Sequence, residues 1–259
     1  MLIDSHCHLN YASLGEDVPG VLARARAAGV GGFLAISCRQ NEWDGVIALA
    51  DAHSGVWASV GIHPHEADSH PATDAATLIA AAQHPRVVAI GETGLDYFYD
   101  KSDRERQQQS FRSHIVAART AGLPIIVHTR DAEADTLALL KEPGQGTLTG
   151  VIHCFTASQA FADEALALGL YISLSGIVTF KNARDLQATA ATIPADRLLV
   201  ETDSPYLAPV PMRGKTCEPA FVAHTARFVA QLRGDSEAAL AAKTTENFHR
   251  LFAKAAALA

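Results

Sequence analysis

The chain has 259 residues, 48% hydrophobic and 19% charged, a globular balance that excludes disorder and supplies enough apolar surface for a full core. Its formal net charge of −7 excludes a protein that coats nucleic acid through a basic surface, so any such contact is expected to be local, at a strand end. Cys7, Cys38, Cys154 and Cys217 lack Cys-x-x-Cys spacing and read as reduced thiols; with no apolar run of membrane length, no leader pattern and no twin arginine, a soluble cytoplasmic protein is expected.

In chain order, a first strand is expected over residues 1–8, ending in His6-Cys7-His8. A helix over 18–28 ends at Gly29, and strand 32–37 is followed by helix 42–53. Strand 56–61 runs into Ile62-His63-Pro64-His65, and after helix 73–83 strand 87–90 runs into Gly91-Glu92-Thr93-Gly94-Leu95-Asp96. Helix 103–121, capped by Gly122, leads to strand 124–127 and His128-Thr129-Arg130-Asp131. Helix 133–141 precedes strand 150–152 with His153-Cys154-Phe155, and helix 160–168 precedes strand 171–174. Helix 183–193 leads to strand 198–200, which runs into Glu201-Thr202-Asp203-Ser204-Pro205; helices over 219–233 and 236–256 close the chain.

Eight strand–helix units in this length fit a (β/α)₈ TIM barrel, and short apolar runs without alternation suit parallel strands covered on both faces. No linker or composition shift divides residues 1–259, so one domain is expected. An open doubly wound sheet is the competing fold. The barrel is preferred because His6 and His8, Glu92, His128, His153 and Asp203 stand at the ends of five separate strands, the first, fourth, fifth, sixth and eighth. Only a barrel brings those strand ends to one mouth.

Two residues apart on a strand, His6 and His8 share a face with Cα atoms about 6.6 Å apart, within reach of one ion. The six donors exceed what one four-coordinate zinc needs and suit two divalent cations, Zn, Mn or Mg. The expected arrangement puts His6, His8 and Asp203 on one ion, His128 and His153 on the second, and Glu92 between them as the shared carboxylate. Two cations can hold a hydroxide with lowered pKa, and Asp203 is placed to take its proton. His63 and His65 follow a strand toward the same mouth and, with Arg130, Lys181, Tyr206, Arg213 and Lys215, are expected to contact substrate. Those cations favour a phosphodiester over an acyl ester. Cys7 should point into packing, Glu201 could support Asp203, and His53, His70, His84, His114, His224 and His249 read as surface or satisfied histidines.

Asp4-Ser5-His6-Cys7-His8, Gly61-Ile62-His63-Pro64-His65, the segments at Glu92, His128 and His153, and Glu201-Thr202-Asp203-Ser204-Pro205-Tyr206-Leu207 resemble the TatD family of metal-dependent deoxyribonucleases, amidohydrolase-superfamily TIM barrels. The resemblance implies the same six metal positions. It also implies a 3′→5′ exonuclease acting on DNA, with single-stranded ends as the expected partner; the sequence shows no obligate protein partner and only a weak signal for oligomers, so a monomer is the default expectation. D-aminoacyl-tRNA deacylation on the same metals is the alternative, and an inactive metal- or nucleic-acid-binding protein is the alternative of another class. Glu92, where many amidohydrolases carry a CO₂-modified lysine, separates the chain from the dihydroorotase and phosphotriesterase branches. Two positions depart from the family pattern: Ala157 stands for a glycine and Cys217 for an asparagine.

Overall fold

A computed structural model describes residues 1–258. The chain runs β1 (Leu2–Cys7), α1 (Ala12–Gly15), α2 (Val18–Ala27), β2 (Val30–Ala35), α3 (Trp43–Ala52), β3 (Val56–Val60), α4 (Ala75–Ala81) and β4 (Val87–Asp96). It continues through α5 (Arg104–Ala121), β5 (Ile125–Arg130), α6 (Glu133–Lys141), β6 (Gly150–Ile152), α7 (Gln159–Ala167), β7 (Tyr171–Leu174), α8 (Arg184–Thr192) and β8 (Leu198–Val200). α9 (Val222–Arg233), α10 (Glu237–Leu251) and α11 (Ala253–Ala256) follow.

The eight strands lie in the order β1 to β8, with every neighbouring pair parallel. The sheet curls until β1 meets the segment after β8. There Cys7 bridges Ser204, His8 N–H donates to the Ser204 carbonyl at 2.8 Å, and Asp203 N–H donates to the His6 carbonyl at 2.9 Å. This is a (β/α)₈ TIM barrel, and its seam runs through two of the segments that carry candidate ligands.

Alternation along each strand sorts the core into two clusters. Phe33, Val56, Ile125, Ile152 and Leu198 face the helices, whereas their neighbours Leu34, Trp57, Ile126, Val151 and Leu199 form the second cluster inside the barrel. Phe248 and Phe252 join this inner cluster and are fully buried. The sequence implies one helix over 236–256. The structure breaks it at Phe252 (φ −93°, ψ 62°), where that ring turns into the barrel.

The sequence also ends the fourth strand at residue 90, where the apolar run gives way to Gly91-Glu92-Thr93-Gly94. β4 instead continues to Asp96, pairing again with β5 from Thr93–Val127 to Asp96–Arg130. Gly94 makes this possible. It adopts φ +136°, and a Cβ there would lie 2.0 Å from the His128 carbonyl oxygen. Only a bare Cα lets β4 lie this close to β5 and carry Glu92 and Asp96 beside His128. Gly94→Ala is therefore expected to destabilise the fold by at least about 1–3 kcal/mol, read as a lowered urea midpoint. An unchanged midpoint would contradict the close packing.

Candidate metal centre

The donors meet at the C-terminal mouth. An irregularity in the β1–β2 register between Asp4 and Cys7 turns His6 and His8 into the mouth, while Cys7 is fully buried in the outer layer. Glu92 lies at the centre, its side chain 3% exposed. One of its oxygens, Oε1, is 3.3 Å from His63 Nε2, 3.3 Å from His128 Nδ1 and 2.7 Å from His153 Nε2; the other, Oε2, is 3.3 Å from His6 Nε2. Asp203 Oδ1 lies 3.3 Å from His8 Nε2 and 3.6 Å from His6 Nε2. Burial pushes the Glu92 carboxyl upward, but the imidazoles of His153, His63 and His6 outweigh it and hold the group well below the usual carboxylate range. Asp203 is likewise raised by burial and brought below its ordinary value by His8, His6 and His153. It sits at φ +57°, a left-handed conformation rare outside glycine, fixed by its N–H bond to His6.

A layer of carboxylates orients the imidazoles from behind. Asp96 Oδ2 lies 2.9 Å from His128 Nε2 and 3.0 Å from His65 Nε2. Burial pushes the Asp96 carboxyl upward, but the hydrogen bond with His128, the close His65 imidazole and the Tyr99 N–H outweigh it and hold the group well below the usual range. Glu201, fully buried, faces His153 Nδ1 at 3.2 Å and accepts from Cys154 N–H at 2.8 Å. Asp4 is buried and pushed up to about 8 by that burial, and it accepts from the Thr202 amide and hydroxyl.

The donor set fits divalent ions. Both ring nitrogens of His6 and Nε2 of His153 are buried without a well-directed hydrogen bond among the described residues. Among the described residues four compact groups of donors could hold a metal: His6, His8 and Asp203; His6, His153 and Glu201; His8, Cys38 and Glu92; and His63, Glu92 and His128. Imidazoles with carboxylates are donors for a divalent metal, and the carboxylates behind His128 and His153 follow the usual pattern of an acidic group orienting an imidazole donor.

Above this floor opens a cavity of about 850 Å³. His63, His65, Arg130 and Tyr206 line it, together with Tyr11, Tyr99 and Ala157. Lys181, Arg213 and Lys215, expected to contact substrate, are not among its lining residues. Lys181 is exposed beyond the turn Gly176–Thr179, and the Arg213 guanidinium is stacked 3.8 Å over the Phe180 ring. Cys217 is likewise away from the cavity, fully buried beside Ala208 and Phe221. Sequence reasoning missed Cys38, whose sulfur lies 3.8 Å from both His8 Nδ1 and Glu92 Oε2. It also missed Asp96 as the support of His128; the available signal was Asp96 four residues beyond Glu92, on a strand read as too short.

His114 supports the site from α5. Its Nε2 accepts from Ile62 N–H at 2.9 Å, its Nδ1 lies 2.7 Å from the Ser110 carbonyl, and burial lowers it to about 4. The ring is thus neutral and fixes the backbone that leads into His63. Between about pH 6.5 and 4 the unfolded chain binds a proton that the folded chain refuses, so stability falls as pH drops through that window. The shift corresponds to about 3 kcal/mol. His114→Gln should flatten the pH dependence of the urea midpoint between pH 7 and pH 5, and parallel profiles for the two proteins would contradict the buried neutral ring.

Fold and site together define a metal-dependent hydrolase on a TIM barrel. The family profile described as TatD related DNase matches residues 3–253, and the chain belongs to that family. It is 48% identical over 255 residues to the uncharacterized metal-dependent hydrolase YcfH of Escherichia coli (strain K12), covering 97% of this chain and 95% of the relative. It is 37% identical over 257 residues to the 3′-5′ ssDNA/RNA exonuclease TatD of Erwinia tasmaniensis, covering 97% and 99%. The crystal structure of YJJV, a TatD homolog from Escherichia coli K12, superposes with a TM-score of 0.92 at 29% identity, covering 97% of this chain and 98% of that one.

Proposed function

We propose that the chain is a phosphodiesterase that trims single-stranded nucleic acid from its 3′ end. The observation that carries this reading is the cavity: an imidazole and carboxylate floor beneath walls that bear the Arg130 guanidinium and the rings of Tyr11, Tyr99 and Tyr206. Such walls suit an anionic chain with aromatic bases. Relatives named 3′-5′ ssDNA/RNA exonuclease TatD, 37% and 38% identical over nearly their whole length, support it.

His6, His8 and Asp203 would hold one divalent ion and His128 and His153 a second, with Glu92 shared; Zn, Mn and Mg are the candidates. Bound ions supply Lewis acidity and bring the pKa of water toward neutral. His63 stands against the same Glu92 oxygen as His128, where it would serve as a further donor or as a contact to a substrate oxygen. Asp203 is the central carboxylate that retains exposure, 15% against 3% for Glu92. Asp203 would therefore take the proton of the attacking water at the cavity side, while buried Glu92 would serve as a donor from the floor of the site. Arg130 steadies the phosphate by charge-assisted hydrogen bonds.

Two experiments test this. Metal-loaded protein offered a single-stranded oligonucleotide, bis-(p-nitrophenyl) phosphate and an aminoacyl-tRNA should turn over the phosphodiesters faster. Faster release of the acyl group would overturn the proposal in favour of an esterase, and loss of all turnover with a chelator is expected in either case. Asp203→Asn should retain most of the metal and lose about 10²–10⁴ in rate, whereas Glu92→Gln should be metal-poor, because a neutral amide no longer offsets the cations. Near-wild-type turnover by metal-loaded Asp203→Asn would rule out its role as a base.

A further inference from the structure

Phe98 and Tyr99, just beyond β4, remain 54% and 50% exposed although both are large and aromatic. Their rings are perpendicular, with centroids 4.9 Å apart. The Arg130 guanidinium fills the corner between them, 4.0 Å over the Phe98 ring and 4.7 Å over the Tyr99 ring. Tyr99 and Arg130 line the cavity above the metal centre, and Lys101 joins them there. A solitary exposed ring is ordinary; two rings with a guanidinium between them at the rim of a catalytic cavity form a prepared surface.

The surface is also rigidly tied to the catalytic floor. Asp96 Oδ1 accepts the backbone N–H groups of Phe98 at 3.1 Å and Tyr99 at 2.9 Å. The other oxygen of the same carboxylate lies 2.9 Å from His128 Nε2 and 3.0 Å from His65 Nε2. The His65 ring in turn meets Tyr99 edge to face, with centroids 5.4 Å apart. One carboxylate therefore sets the position of the rings relative to His128. Rings held in this way can present a base at a fixed distance from the reacting phosphate without ordering a loop.

We propose that Phe98, Tyr99 and Arg130 form a subsite that stacks one nucleobase of a single-stranded end and grips the adjoining phosphate. The inference deepens the proposed exonuclease reading and rests on it. The stack requires an unpaired base with a free π face, so the subsite selects single strands over duplex and does so without reading base identity. Arg130, stacked on the rings, keeps its N–H edges for phosphate oxygens.

Binding, uncoupled from cleavage, tests it. The metal-loaded Asp203→Asn protein is titrated with a fluorescein-labelled short single-stranded oligonucleotide and with the same backbone bearing abasic residues at its 3′ end. The base-bearing strand should bind more tightly. Tyr99→Ala and Phe98→Ala, both at exposed positions and checked for folding by circular dichroism, should each weaken that strand about 5- to 150-fold and leave the abasic strand unchanged. Equal weakening of both strands, no weakening of either, or no binding at all overturns the subsite. Hydrolysis of the oligonucleotide by the wild-type protein is followed in parallel. Cleavage with ring variants that bind normally discards the subsite and keeps the exonuclease reading. Base-dependent binding without any wild-type cleavage keeps the subsite and discards that reading.

Discussion

One carboxylate, Glu92, is removed from water and surrounded by imidazoles from four different strand ends. Its oxygens lie within 3.3 Å of His6, His63, His128 and His153. A buried carboxylate without partners would be strongly disfavoured. The barrel must therefore bring β1, β3, β5 and β6 to the same height around β4, and the glycines of β4 allow the close approach that this requires. The seam obeys the same constraint: β1 and the chain after β8 are joined by backbone bonds of His6, His8, Asp203 and Ser204. Closing the barrel and assembling the donors are one event.

Behind the donors stands a second set of charges. Asp96 serves His128 and His65, Glu201 serves His153, and Asp4 is gripped by Thr202. Each fixes a ring or a backbone turn, so the rotamers at the floor are set before any ion or substrate arrives. Asp96 extends the same control outward, because its second oxygen holds the turn of Phe98 and Tyr99. Chemistry at the floor and recognition at the rim thus share a support.

The barrel was legible because its signal is repeated: eight short apolar runs separated by helical stretches. The candidate ligands were legible because each follows one of those runs. The supports were harder to read, for physical reasons. The apolar run of β4 stops at Ile90, so the sequence gives no sign that the strand continues past Glu92 to Asp96. Cys38 carried no partner in sequence; its neighbours His8 and Glu92 arrive from other strands. Lys181, Arg213 and Lys215 have the right charge, but none of them lines the cavity, and Arg213 rests on Phe180. Charge is visible in a sequence, whereas loop direction depends on tertiary contacts.

The most direct test of this arrangement is an anomalous-scattering map from crystals grown with Mn²⁺ or Zn²⁺. The arrangement predicts two peaks beside Glu92, one contacted by His6, His8 and Asp203 and one on the side of His128 and His153. A single peak that leaves either group without contact, or peaks only at surface carboxylates, would contradict it.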